Sequence, residues 1–251
     1  MSNTEFASAP NEPIILAIDT SSHRASLAVS RGEDVVASLA ISNNLPHSQT
    51  LFSNIFALLS VAGYEIQDVD AFVAATGPGS FTGLRVGLAA IKGLADSLGR
   101  HCLGIDSLDS LALASGLDGL HLVMIDAGRG KVYWGLREVA GGDVVGLSAV
   151  DKAGKVSSVL DLLKQDMNIS ALVITGSGAC KSKDEVLAFI TQLWIEDKTS
   201  SEFRWRLFHN DAVNISSVLA RRASRLLKSG QLSPVEPHYV RPSDAELNRK
   251  R

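Results

Sequence analysis

Two aspartates stand at matching places in the sequence and could do chemistry together. Asp19 follows the apolar run 14–18, and Asp126 follows the apolar run 122–125. Each is followed by a short polar turn, which predicts a strand that ends in a hairpin. Two facing hairpins suit a phosphate clamp, in which amides and hydroxyls hold phosphates while carboxylates orient a hydrated Mg²⁺. The candidate nucleotide-site residues of the hairpins are Asp19, Ser21, Asp126 and Gly128.

A glycine-containing segment at 175–179 is a third candidate element of this site. Gly176 and Gly178 follow an apolar run, and glycines in such a turn let the backbone approach a nucleoside closely. The same residue types also form ordinary turns at strand ends. A purely structural role for these aspartates and glycines therefore stays open.

The stretch 77–85, with the sequence GPGSFTGLR, is the most distinctive in the chain. A glycine-rich connection between a strand and a helix can bind an anion at the helix N-terminus. The spacing is not that of a P-loop, because no Gly-x₄-Gly-Lys-Ser/Thr occurs. We favour the simpler interpretation, in which the stretch forms a tight turn and Ser80 or Thr82 caps the following helix.

Composition and missing motifs exclude several classes of protein. The six histidines include no pair at i, i+4 spacing, so we predict no metal site and no metallopeptidase. There is no Gly-x-Ser-x-Gly elbow, which removes the commonest serine-hydrolase signal. The two cysteines lie far apart and indicate a reduced protein. A formal net charge of −3 argues against a protein that coats nucleic acid alone.

The elements that must position these residues repeat once along the chain. Apolar runs and helical spacing predict the order βββαβαβα in each half, and therefore an α/β fold of two lobes, each with a mixed sheet. The expected lobes are 14–106 and 107–232. We expect 1–13 to be a flexible leader and 233–251 an extended tail, of which 237–242 packs back on the body. The absence of a long apolar run or a secretory signal favours a cytoplasmic protein.

Two helices of the first lobe, predicted at 47–62 and 81–98, have the features of a protein-binding surface. The first is apolar on more than one face, and Phe52, Phe56 and Leu59 are expected to point away from the sheet. The second has a nearly bare face, which permits close approach of another helix. The alternative that other parts of the same chain cover both faces stays open. The predicted interface residues are Leu51, Phe52, Ile55, Phe56, Leu59, Gly83, Gly87, Ala90 and Leu94.

Taken together, these motifs resemble the TsaB (YeaZ) family. The resemblance covers residues 14–242, and its motifs are IDTS at 18–21, HSQ at 47–49, TGPGSFTGLRVG at 76–87, IDAGR at 125–129 and the tail at 237–241. The stretch at 76–87 is the most specific of them. The aspartate hairpins alone indicate only the wider actin/Hsp70/sugar-kinase superfamily. The resemblance implies a two-lobed actin/Hsp70/sugar-kinase-like (ribonuclease H-like) fold.

The same resemblance implies a role in making N6-threonylcarbamoyladenosine at position 37 of tRNA (t6A37). It implies a non-catalytic scaffold or activator that binds a TsaD-type transferase through the helices of the first lobe. Through that partner it would reach a TsaE-type ATPase and tRNA, and a homodimer would use the same surface. No cofactor is then required. Weak binding of ATP or ADP is expected at most, with Mg²⁺ only if a nucleotide binds.

The chain departs from the transferase pattern at two positions. TsaD-like proteins carry a His-x-x-x-His metal pair on the helix after the fifth strand, where this sequence has Ser107 and Leu111. Neither side chain can serve as an imidazole ligand, so the resemblance implies that this chain is not the transferase. The alternative function is an ATP-dependent phosphotransferase that uses Asp19 and Asp126.

Overall fold

The computed structural model of the chain describes residues 12–42, 45–147, 152–165, 171–196, 204–208, 214–231 and 234–240. The strands in these ranges are β1 (Ile14–Asp19), β2 (Ala25–Arg31), β3 (Asp34–Ile41), β4 (Ala71–Gly77), β5 (His101–Asp106), β6 (Gly119–Gly128), β7 (Lys131–Ala140), β8 (Asp143–Leu147), β9 (Lys152–Lys155), β10 (Ala171–Thr175) and β11 (Arg204–Phe208). The helices are α1 (His47–Ala62), α2 (Phe81–Leu98), α3 (Ser107–Leu113), α4 (Val156–Gln165), α5 (Ser177–Lys181), α6 (Lys183–Glu196) and α7 (Ile215–Lys228). The predicted α/β fold is confirmed.

The first sheet has the strand order β3-β2-β1-β4-β5. It is mixed, because β1 pairs antiparallel with β2 and parallel with β4. All six residues of β1 are buried, because helices cover both faces of the sheet. Leu16 and Ile18 pack with α1 and α2 on one face, whereas Ile15 and Ala17 pack with α7 on the other.

The last helix of each half packs on the sheet of the other half. α7 closes the second half of the sequence, but its Leu219, Ala220 and Ala223 join the core beneath the first sheet. α3 is the last helix of the first βββαβαβα repeat, although it begins at residue 107, the expected lobe boundary, and its Leu108 packs with β6 and β7 of the second sheet. The expected lobe of residues 107–232 therefore does not match the packing of α7. Sequence order places this helix in the second lobe, and its apolar face places it on the first sheet.

The second sheet has the order β11-β10-β6-β7-β8, with β9 paired to β7. It is mixed as well, since β6 runs antiparallel to β7 and parallel to β10. Two elements differ from the prediction. β9 lies in a polar segment with no apolar alternation, and α5 occupies most of the segment 175–179, for which the sequence predicts a glycine turn. Among the described helices, none is long and apolar enough to span a membrane.

Candidate functional site

A cavity of about 570 Å³ lies between the two lobes. Asp19 and Ser21 line it from the first lobe and Asp126 from the second, so both aspartate hairpins reach the same space. Such a volume is within the range of small-molecule pockets. The glycines proposed for the same site do not line this cavity: Gly128, Gly176 and Gly178.

The carboxylate of Asp19 organises its own hairpin. Its Oδ1 accepts a hydrogen bond from the backbone amide of Ser21 at 2.8 Å, and the residue is only 6 % exposed. Burial raises the pKa of this carboxyl above its ordinary value, and the hydrogen bonds from Ser21 and the nearby His47 offset only part of that rise. Nε2 of His47 lies 2.8 Å from the carbonyl oxygen of Ser22, at the start of α1.

The loop before α2 is packed against this hairpin. The amide of Ser80 donates to the carbonyl oxygen of Ser21 at 2.6 Å, and the hydroxyl of Thr20 donates to the carbonyl oxygen of Gly83 at 2.8 Å. A Cβ on Gly79 would lie only 2.5 Å from that Ser21 oxygen, so the glycine permits the close approach. Ser80 is the N-cap of α2, with its Oγ 3.3 Å from the amide of Gly83. The predicted turn with a serine cap is confirmed.

The carboxylate of Asp126 already has two partners. Its Oδ1 accepts from the amide of Gly128 at 3.0 Å, and its Oδ2 lies 2.6 Å from Nζ of Lys181. The amide of Asp126 donates to Oγ of Ser177 at 3.1 Å, so α5 is joined to the end of β6. Lys181 was not identified from the sequence, because 55 residues separate it from Asp126 and no motif links the two.

Gly176 and Gly178 serve packing between α5 and β6. Gly176 has a φ of 99°, and a Cβ there would collide with the backbone of Met124. A Cβ on Gly178 would lie 2.6 Å from Cγ1 of Val132. The close approach predicted for this segment exists, but it is made to the protein's own second sheet.

The hairpin residues do not fit a Mg²⁺–nucleotide complex. A metal bound at Asp126 would have to compete with the ammonium group of Lys181, and Asp19 is buried in a setting that disfavours its ionised form. The amide of Ser80 at the α2 N-terminus is occupied by the Ser21 carbonyl. No group of three or more His, Cys, Asp or Glu within the described ranges is arranged to hold a metal ion.

The start of α3 forms another wall of the cavity. Asp106 caps this helix by accepting from the amides of Leu108 and Asp109, at 2.8 and 3.0 Å. Ser107 and Leu111 both line the cavity. Ser107 is 2 % exposed, and its Oγ has no hydrogen-bond partner among the described residues.

The predicted partner surface is only partly exposed. On α1, Phe52 and Phe56 are 48 % and 50 % exposed. Leu51, Ile55 and Leu59 are buried in the first core, so their assignment to an interface is corrected. The outward direction expected for Leu59 is wrong, because α1 buries a face wide enough to include it.

The glycine face of α2 is covered by the chain itself. A Cβ on Gly83 or Gly87 would collide with atoms of Thr20, and Ala90 is buried in the first core. Their assignment to an interface is therefore corrected too: the bare face lies against the first hairpin and β1. Leu94 packs at the edge of that core and is half-buried. The other face of α2, with Arg85 and Lys92, is exposed.

The basic residues of α7 are engaged within the molecule. Arg222 pairs with Asp109 at 3.1 Å, and Arg225 donates to Glu33 at 2.8 Å and to the carbonyl oxygen of Gly142 at 2.7 Å. Glu33 lies in the β2–β3 turn and Gly142 in the β7–β8 turn. Arg225 therefore joins the two lobes.

Comparison with known proteins gives a consistent assignment. The family model described as TsaD, tRNA N6-adenosine threonylcarbamoyltransferase, matches residues 35–186, which is more than half of the chain. The tRNA threonylcarbamoyladenosine biosynthesis protein TsaB of Bacillus subtilis is 38 % identical over 130 residues. That alignment covers 51 % of this chain and 56 % of the relative, so the match spans about half the length of the curated protein.

Solved structures share the fold. YeaZ from Pseudomonas aeruginosa superposes with a TM-score of 0.65 at 22 % identity, covering 90 % of this chain and 99 % of the other. The ROK hexokinase of Thermus thermophilus has a TM-score of 0.51 at 12 % identity, over 86 % of this chain and 100 % of the other. The two-lobed sugar-kinase-like architecture is therefore confirmed. The chain belongs to the family described as TsaD, tRNA N6-adenosine threonylcarbamoyltransferase, and about half of it is similar to TsaB of Bacillus subtilis.

Proposed function

We propose that this chain is a non-catalytic subunit in the synthesis of threonylcarbamoyladenosine on tRNA, and that it works in the cytoplasm, where its tRNA substrate is. The B. subtilis relative is named for this pathway, and the matching family model describes the transferase. In this chain both cavity aspartates are engaged: Asp19 accepts from the amide of Ser21, and Asp126 accepts from the amide of Gly128 and pairs with Lys181. Such an arrangement suits a structural role better than phosphoryl transfer, which needs carboxylates free to hold a metal.

The observation that carries the proposal is the exposed pair Phe52 and Phe56. One turn apart on α1, they present two half-exposed aromatic rings on the same face of the helix. α1 and α2 contact each other on one side of the first sheet. Large exposed apolar side chains on a helix favour a protein partner, and aromatic rings are typical anchors of such interfaces.

The partner proposed for this surface is a TsaD-type transferase, with a TsaE-type ATPase and tRNA joining through it. The net charge is −3, and the α7 arginines are paired within the molecule. Both features favour binding of tRNA through the partner proteins rather than by this chain alone. A second copy of the chain would compete for the same aromatic pair. Homodimer and heterodimer are then alternative states of one surface.

We further propose that no nucleotide is needed for this role. The Asp126–Lys181 pair and the buried Asp19 support this, because neither carboxylate is presented for Mg²⁺. Calorimetry of the isolated chain with ATP and Mg²⁺ should show weak or no binding. Micromolar binding accompanied by turnover that Asp19→Ala abolishes would establish the phosphotransferase instead.

Reconstitution of tRNA modification tests the proposed function. Purified transferase, ATPase, unmodified tRNA and the small-molecule substrates are combined with and without this chain, and modified adenosine is measured by mass spectrometry. Modification should depend on the chain, and a stoichiometric rather than trace amount should be needed. Modification at the same rate without it would refute the proposal.

A further inference from the structure

Residues 234–240 form a segment, here called the strap, that crosses the ends of β4 and β5. The amide of His238 donates to the carbonyl oxygen of Thr76 at 2.8 Å, and Val235 packs against the first core. Two glycines make room for the strap. A Cβ on Gly77 would lie 2.9 Å from the carbonyl oxygen of His238, and one on Gly104 would collide with the carbonyl oxygen of Pro234.

The end of the strap is fastened to the first turns of α2. Nε of Arg85 donates to the hydroxyl of Tyr239 at 2.9 Å, and the ring of Tyr239 lies 4.9 Å from that of Phe81. The Arg85 guanidinium also stacks over Phe81, at 3.9 Å from the ring centroid. These contacts give Phe81 and Arg85, two residues of the GPGSFTGLR motif, a role in holding the strap.

The strap also forms part of the cavity wall. His238, Tyr239 and Val240 line the cavity together with Ser107. Nδ1 of His238 lies 3.1 Å from Oδ2 of Asp106, the residue directly before Ser107. The strap is thus joined on one side to α2 and on the other to the start of α3. Ser107 lines the same cavity and is only 2 % exposed.

We propose that the strap is a lid on the cavity between the lobes, and that docking of the partner on α2 holds the lid closed through Arg85. The second part rests on the proposed function. Arg85 is exposed on α2 and gives Tyr239 its Nε–H, so within the described residues the Nη edge of its guanidinium is left for a partner docked on this helix. A carboxylate of the partner would bind that edge in the fork geometry that arginine favours. By linkage, a closed lid strengthens docking by the same factor as docking favours the closed lid.

Thiol labelling tests the lid in the isolated full-length chain. Ser107→Cys places a thiol at this buried, cavity-lining position, and its alkylation rate is read by mass spectrometry of the peptides. The native, half-buried Cys102 and Cys180 are internal controls. Tyr239→Ala should raise the rate at position 107 at least tenfold while the two native thiols change less than twofold. Tyr239→Phe keeps the ring and loses the hydroxyl acceptor. Its labelling rate at position 107 should therefore lie between the rate with Tyr239 and the rate with Tyr239→Ala.

Two results would overturn the lid. One is an unchanged rate at position 107 in Tyr239→Ala. The other is acceleration of all three thiols together, which would make the strap an integral part of the fold. Addition of purified transferase should slow labelling at position 107 severalfold, and should have no such effect in Arg85→Ala. Co-elution of the partner without any slowing would refute the coupling and leave the docking surface intact, whereas absence of co-elution would refute the docking surface.

Discussion

Nζ of Lys181 lies 2.6 Å from Oδ2 of Asp126, so the carboxylate at the end of β6 has a cation in place before any ligand arrives. The pair is partly exposed, with the Lys181 side chain 63 % and the Asp126 side chain 30 % accessible. Its contribution to stability is therefore small, on the order of 0–1 kcal/mol. Its importance is functional: the pair occupies the carboxylate that a nucleotide clamp would need to be free.

Asp126→Asn tests whether this carboxylate takes part in chemistry. The amide oxygen of asparagine can still accept from the backbone of Gly128, while the ion pair with Lys181 is lost. We expect a loss of less than about 1 kcal/mol in unfolding free energy and a change in reconstituted tRNA modification of no more than twofold. A drop of a hundredfold or more in modification with an intact fold would assign Asp126 to catalysis.

Asp19→Asn should stabilise the protein at neutral pH. Burial raises the pKa of the Asp19 carboxyl above its ordinary value of 3.8, so folding favours the protonated form. The stability that this group contributes is fully present below pH 3.8 and is lost as pH rises through the pKa of the folded state. Asparagine can accept the Ser21 hydrogen bond without a charge.

The difference in unfolding free energy between Asp19→Asn and the unmodified chain should therefore grow as pH rises and vanish at low pH. Urea unfolding at a series of pH values measures it. A variant that is less stable than the unmodified chain at pH 7 would show that the ionised carboxylate has a stabilising partner.

Most of the fold follows from sequence pattern, because strands buried on both faces read as apolar runs and the helices carry apolar residues at helical spacing. The sequence pattern does not show which element packs against a given apolar helix face. The small residues of α2 predict a close approach, and the structure shows that Thr20 makes it. In the same way, the apolar face of α7 carries no signal that distinguishes the first sheet from the second.

The site was predictable to a similar extent. Asp19 and Asp126 were found because a strand that ends in an aspartate and a turn is a local signal. Their engagement with Ser21 and Lys181 depends on burial and on contacts between distant residues. Leu59 shows the same limit, since helical spacing gives its angle on α1 but not the width of the buried face.

A pair of glycine substitutions on α2 tests the packing of the bare face. A Cβ on Gly87 would collide with the hydroxyl of Thr20, whereas Gly93 has nothing within 4 Å of the corresponding position. Gly87→Ala should cost about 1–3 kcal/mol of unfolding free energy, as overpacking does. Gly93→Ala should stabilise the helix by about 0.5–1 kcal/mol. Equal effects in chemical denaturation would show that the glycine face is open.

Buried His121 should make the protein sensitive to mild acid. It is fully buried between Ser115, whose Oγ lies 2.7 Å from Nε2, and the carbonyl oxygen of Gly119, which lies 2.9 Å from Nδ1. Burial lowers the pKa of this imidazole below its ordinary value of 6.5. Below pH 6.5 the unfolded chain binds a proton that the folded chain does not, so stability falls as pH falls towards the folded pKa.

The expected slope from this residue is at most about 1.4 kcal/mol per pH unit. His121→Asn should remove that contribution, so its urea midpoint should change less between pH 7 and pH 5 than that of the unmodified chain. Parallel pH profiles for the two proteins would contradict the assignment.

The affinity between this chain and its transferase partner tests the central claim most directly, with two substitutions on one helix. Phe56→Asp places a charge in the exposed aromatic pair, and Val61→Asp places the same charge at an 80 % exposed apolar residue on another face of α1. Circular dichroism first establishes that both variants are folded. We predict that Phe56→Asp raises the Kd at least about thirtyfold, while Val61→Asp leaves it within about threefold. Equal affinities for the two variants would contradict docking through Phe52 and Phe56.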